Sequence, residues 1–280
     1  MPYVKRHLTQ TVLRAAASIP AVLITGARQT GKTTLLRREF GASHRYLSLE
    51  RPDIRARAQA DPIAFLAEAA PPAILDEIQY APDLLHYIKE DIDANRFPGR
   101  WLLTGSQHFA LMHGLSQTLS GRVAVLTLDP LSTAEVEQQP APSGVDALLD
   151  EVFGGPAADQ PSRSIELADW LLRGGFPEPR LNPQVDRQLW FGSYVQTYLE
   201  RDVRDLAQIA DLGAFTRFLM LVGARTGTAL NMSELSREVG VSNSTIKRWL
   251  SVLETSRSFI CCDPITATWA NACAKAPSST

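Results

Sequence analysis

A chain of 280 residues, 45% hydrophobic and 21% charged, has enough apolar material for a sizeable core and room for two domains, which excludes a disordered chain. Its net charge of −2 excludes a generally basic coat for nucleic acid, although residues 1–60 carry a net +8 and residues 61–160 a net −11. No apolar run reaches the roughly 20 residues of a membrane helix, and neither the five histidines nor the three cysteines fall at a metal-ligand spacing.

In chain order, apolar residues at Leu8, Val12, Leu13 and Ala16 predict a short amphipathic helix within His7–Ser18. Ala21–Thr25 is a compact apolar strand between Pro20 and Gly26. It runs straight into Gly26-Ala27-Arg28-Gln29-Thr30-Gly31-Lys32-Thr33, a Gly-x-x-x-x-Gly-Lys-Thr loop opening a helix over Thr33–Phe40. In such a loop the glycines let backbone N–H groups curl around phosphates at a positive helix end. Lys32 is placed to bridge the β- and γ-phosphates of ATP, the Thr33 hydroxyl to ligate Mg²⁺, and Thr34 to touch the α-phosphate. A cleaved signal peptide would remove the supporting strand, so the chain is read as cytoplasmic, with no membrane partner.

Arg45–Glu50 is a second strand, and Ile63–Ala70 a helix stopped by Pro71-Pro72. Ala73-Ile74-Leu75-Asp76-Glu77 is a third strand ending in two acids. Asp76 suits the Mg²⁺ water shell, and Glu77 suits the general base beside an attacking water. Leu84–Ala94 reads as a helix and Trp101–Thr104 as a fourth strand, with Thr104 or Ser106 as a polar sensor lying between the acidic and phosphate strands. A helix over Phe109–Leu119 leads to Leu119-Ser120-Gly121-Arg122. Arg122 is a candidate finger for the γ-phosphate in cis or in trans, and Arg28 in the loop is a second one. Val123–Leu128 is a fifth strand. Strands alternating with helices predict an α/β fold with a parallel sheet covered on both faces.

Gln138–Arg163 reads as a linker around a short helix, Val145–Phe153. Helices then follow over Ile165–Arg173, Asp186–Ile209 and Ala214–Ala224. Leu230–Leu250 has a helix-turn-helix pattern: Ser233 caps one helix, Gly240 makes the turn and Ser242 caps the next. Asn243, Lys247 and Arg248 occupy positions that meet DNA in such modules, yet residues 226–257 carry a net of only +1, thin for a DNA reader.

The set GARQTGKTTLL (26–36), YLSLE (46–50), ILDEIQY (74–80), LLTGSQ (102–107), LSGRV (119–123), PLSTAE (130–135), GGFPEP (174–179) and YLERDV (198–203) resembles a prokaryotic family. Its members pair an AAA-type ATPase module with a C-terminal domain of unknown function. The resemblance covers residues 1–257. It implies an ATP-binding P-loop core at 1–137, a linker at 138–163, a helical and winged-helix region at 164–257, and a nuclease-like α/β domain beyond. Here it stops after Ser256, all three cysteines lie past that point, and chosen codons for Cys262–Cys273 read in another frame as the family's continuation. Residues 258–280 are therefore read as an out-of-frame, disordered tail on a truncated chain. The reading favoured is a Mg²⁺-dependent ATPase acting as a conformational switch on an unknown protein partner. Two rivals are an ATP-responsive DNA-binding regulator and a scaffold that keeps nucleotide for stability.

Overall fold

A computed structural model describes residues 2–105, 118–140, 167–198, 209 and 211–255. Five parallel strands form one sheet in the order β2-β3-β4-β1-β5: β1 (Ala21–Thr25), β2 (Arg45–Ser48), β3 (Ala73–Asp76), β4 (Trp101–Thr104) and β5 (Val123–Thr127). β4 lies between β3 and β1, where the sequence placed its polar sensor strand. Inner strands of such a sheet are buried on both faces, which is why β1, β3 and β4 read as unbroken apolar runs.

Alternation along the strands divides the core. Val22, Ile24, Ile74 and Leu102 pack under α1 (Leu8–Ala16) and α2 (Lys32–Phe40), together with Val12, Leu35, Leu36 and Phe40. Leu23, Leu75, Trp101 and Leu103 face the other way, onto α3 (Pro52–Ala60), α4 (Pro62–Ala69) and α5 (Leu84–Ala94). Tyr46, Asp76 and Thr104 have the same parity as Ile74 and Leu102, so the pleat aims all three toward α2. That single periodic fact assembles the site.

α3 was not read from the sequence. It buries only Ala58, so it carries no apolar stripe, and Pro52 in its first turn starts it. Asp61 ends α3 and caps α4 by accepting from Ala64 N at 2.9 Å. α6 (Thr133–Val136) opens with a capping box between Ser132 and Glu135. α7 (Leu167–Arg173), α8 (Pro177–Leu181) and α9 (Arg187–Tyr198) follow. Two compact units divide between Gln196 and Thr197.

In the second unit, α10 (Leu212–Ala224), α11 (Met232–Val239) and α12 (Asn243–Thr255) pack around Phe215, Phe218 and Trp249, whose ring centroids lie 5.1–5.6 Å apart. Gly240, at φ 83°, makes the turn between α11 and α12. Asn231, not Ser233, caps α11, accepting from Ser233 N and Glu234 N; Ser233 instead lies in the first turn. Ser242 does accept from Thr245 N at 3.2 Å. A wing after α12, Ser106, most of the expected helix Phe109–Leu119 and the helix Val145–Phe153 lie outside the described residues. Among the described residues, no helix is long and apolar enough to cross a membrane.

Candidate nucleotide-binding site

The loop from Gly26 to Lys32 joins the end of β1 to the start of α2. Three of its residues have positive φ: Gly26 (139°), Gln29 (60°) and Gly31 (96°). Gly26 is required by space as well, because a Cβ there would stand 2.2 Å from the Leu128 carbonyl oxygen. The buried Lys32 folds back on its own loop, donating from Nζ to Gly26 O at 3.0 Å and Ala27 O at 2.8 Å. Gly31 is the N-cap of α2, so the loop ends at a positive helix terminus. A phosphate held there would compete with two neutral carbonyls for the ammonium and, being charged, would win.

Asp76 is gripped from three elements. Its Oδ1 accepts from Thr33 Oγ1 at 2.7 Å and from Thr104 Oγ1 at 2.5 Å, while its Oδ2 accepts from Tyr46 OH at 2.8 Å. Thr104 in turn accepts from the Glu77 backbone N–H at 3.0 Å. Burial, then the hydrogen bond to Asp76, pushes the Tyr46 phenol up to about 12. Glu77 adopts a left-handed backbone (φ 59°, ψ 54°), which costs a non-glycine residue of order 1 kcal/mol. Its carboxylate accepts from Gln79 Nε2. A hydroxyl and a carboxylate held within hydrogen-bonding distance are hard oxygen donors and fit Mg²⁺, which keeps most of its water shell.

A cavity of about 600 Å³ opens over Gln29–Thr34 and Glu77. Its remaining walls are the N-terminal segment Pro2–Val4, Arg6, Leu131 and one side of α8 (Pro177, Glu178, Leu181). Lys32, Thr33, Thr34 and Glu77 thus line one space, as the sequence placed them, with Asp76 and Thr104 directly behind Thr33. Arg28 lies on the loop but not on the cavity wall.

Arg122 is elsewhere. Strands β1 and β5 are parallel with Ala21 beside Val123, so Arg122 precedes the edge of the sheet opposite the loop. There it forms a two-pronged ion pair with Asp93, at 2.6 and 2.9 Å. Strand polarity therefore rules out a cis contact with the loop, and the expectation is corrected on that point. Tyr46, Gln79, Arg6 and α8 were missed by the sequence reading. Tyr46, Gln79 and the start of α8 fall within the YLSLE, ILDEIQY and GGFPEP segments, which gave them no role, and Arg6 carried no signal.

Residues 18–137 match the family described as AAA domain, and residues 164–277 match a domain of unknown function, DUF8612. The second match continues past Ser256, which removes the first ground for reading the tail as out of frame. An uncharacterised protein of Mycobacterium tuberculosis strain H37Rv is 30% identical over 251 residues, covering 89% of this chain and 51% of that protein. An uncharacterised protein of Haemophilus influenzae is 22% identical over 256 residues, covering 85% and 60%. The chain spans about half the length of the mycobacterial relatives it matches. Among solved structures, a Walker-type ATPase of Pyrococcus abyssi aligns with TM-score 0.45 and 13% identity over 91% of this chain and 92% of that one.

Proposed function

From the premise that the chain joins an AAA domain at residues 18–137 to a domain of unknown function at 164–277, we propose that it binds and hydrolyses Mg·ATP as a conformational switch. The observation that carries this is the grip on Asp76 by Thr33, Thr104 and Tyr46, beside a strained Glu77 that lines the same cavity as the phosphate loop. A loop that merely bound nucleotide would not need a second carboxylate, Glu77, on the wall of the same cavity.

In this reading Lys32 leaves its two carbonyls for the β- and γ-phosphates, and the amino end of α2 adds its partial positive charge. Thr33 and Asp76 would hold Mg²⁺, which when bound neutralises phosphate charge. Glu77 accepts the proton of an attacking water, its carboxylate aimed by Gln79 and its backbone by Thr104. The base and ribose would take the end of the cavity walled by Pro2–Val4 and α8. Arg122 can meet phosphate only on a second copy of the chain.

The test is a pair of substitutions. Lys32→Ala should abolish Mg·ATP binding in a protein that still unfolds cooperatively. Glu77→Gln should bind normally and turn over about 10²-fold more slowly, the scale of a lost general base. Wild-type affinity in Lys32→Ala would sink the site assignment, and unchanged turnover in Glu77→Gln would remove Glu77 as the base.

A further inference from the structure

Arg6 lies outside every motif, yet it is 6% exposed and its guanidinium is spent on four acceptors. Nη1 donates to Thr30 O at 2.8 Å, Nη2 to Asp129 O at 2.6 Å and to Pro130 O at 3.3 Å, and Nε to Glu135 Oε1 at 3.1 Å. Glu135, equally buried, also accepts from His7 N at 2.7 Å and Ser132 N at 3.0 Å. Burying such a pair is costly unless its hydrogen-bonding groups are met, and here most of them are. Solvation alone gives no reason for a guanidinium to reach the phosphate loop.

Peptide geometry gives the reason. The Thr30–Gly31 bond is trans, since among the described residues only Pro71–Pro72 is cis. In a trans peptide the carbonyl and the following N–H point in opposite directions. Pulling Thr30 O toward Arg6 therefore turns the Gly31 N–H away from the guanidinium. Gly31 is free to follow, being at φ 96° with only Arg6 Nη1, at 3.9 Å, near the place of a Cβ. The same guanidinium fixes Asp129 and Pro130, just beyond β5. One residue on, Leu131 N donates to Gly175 O at 2.7 Å, and Gly175 has no room for a side chain because a Cβ would lie 2.4 Å from Leu131 O. Gly175 stands two residues before α8, a wall of the cavity.

We propose that Arg6, locked by Glu135, is a positioning residue for the phosphate loop: it presents the Gly31 N–H to the phosphates and ties the loop, through Asp129–Leu131 and Gly175, to α8. This rests on reading the loop as a phosphate cradle. The PLSTAE and GGFPEP segments, whose sequence suggested no chemistry, are in this account the two halves of that tie. Lysine cannot replace Arg6, because a single ammonium lacks the planar fork that spans three carbonyls and a carboxylate.

The experiment is hydrogen–deuterium exchange on the full chain without nucleotide, followed by Mg·ATP titration, comparing wild type with Arg6→Lys. Charge is conserved, so electrostatics alone leaves both readouts unchanged. We expect amides of residues 26–31 to exchange about tenfold faster while those of β3 and β4 stay protected, and ATP affinity to fall about tenfold. Wild-type exchange in the loop overturns the proposal, as does acceleration spread evenly over all strands. If Arg6→Lys does not fold, Glu135→Gln takes its place with the same two outcomes. If the wild type fails to bind Mg·ATP, the nucleotide reading falls, and the loop exchange still decides whether Arg6 holds the loop.

Discussion

Asp76 holds its geometry because three hydroxyls converge on one carboxylate, and each comes from a different element: Thr33 from α2, Thr104 from β4 and Tyr46 from β2. The register that sets Ser48 beside Asp76 puts Tyr46, two residues earlier, on the same face of the sheet. Arg37 stacks over the Tyr46 ring at 4.8 Å. The phenol pushed up to about 12 has a consequence for stability. Its folded pKa lies above its unfolded value of 10.0, so the folded state keeps the proton longer. Stability from this group is complete below that unfolded value and is lost as pH climbs toward about 12. Tyr46→Phe should therefore flatten the alkaline fall in unfolding free energy, measured by urea melts across that window. An identical fall in both proteins would refute the link. At neutral pH the same variant leaves Asp76 Oδ2 without its donor, and ATP turnover should drop severalfold with the fold intact.

Among elements, the join between β1 and the loop tolerates little change. Gly26 passes against the backbone of Leu128, where no side chain fits, at a φ that L residues rarely adopt. Gly26→Ala should cost about 1–3 kcal/mol through overpacking, and more if the backbone cannot shift. A urea midpoint equal to wild type would show that β5 yields freely. The three inner strands and the phosphate loop were legible in the sequence because inner parallel strands are buried on both faces and read as apolar runs, and the loop's glycines are fixed by conformation. The edge strands β2 and β5 were legible from their alternation with helices. The two acids closing β3 were legible because they follow a buried run. What was not legible depends on groups that carry no periodicity. α3 buries one alanine, Arg6 bonds mainly to carbonyls that any sequence possesses, and Tyr46 gains its role only from the register between β2 and β3. Arg122 misled because a motif's spacing does not say which edge of the sheet it will occupy.

At the scale of the molecule, the second unit poses the question of nucleic acid. α11, Gly240 and α12 form a helix-turn-helix, with Ile246, Trp249, Leu250 and Leu253 buried and Asn243, Lys247 and Arg248 exposed on α12. That arrangement favours a rival reading of the chain as an ATP-responsive DNA-binding regulator. Charge opposes it. The basic side chains exposed on α12 are Lys247 and Arg248, and on α11 Arg237 sits between Glu234 and Glu238, both of which pair with Arg225. Two phosphate contacts give a slope of log affinity on log salt near −0.9 each, about −2 in total, against about −10 for a strong repressor. We therefore expect binding to duplex DNA that is weak, indifferent to sequence and largely lost between low and physiological salt. Lys247→Ala and Arg248→Ala should each reduce the slope by about 1, and neither should change ATP turnover. Fluorescence anisotropy over a salt series with two unrelated duplexes makes the measurement. Tight binding to one duplex that persists at high salt would promote the regulator reading over the switch. No detectable binding to either duplex even at the lowest salt would remove DNA from the function altogether and leave a protein as the partner of the proposed switch.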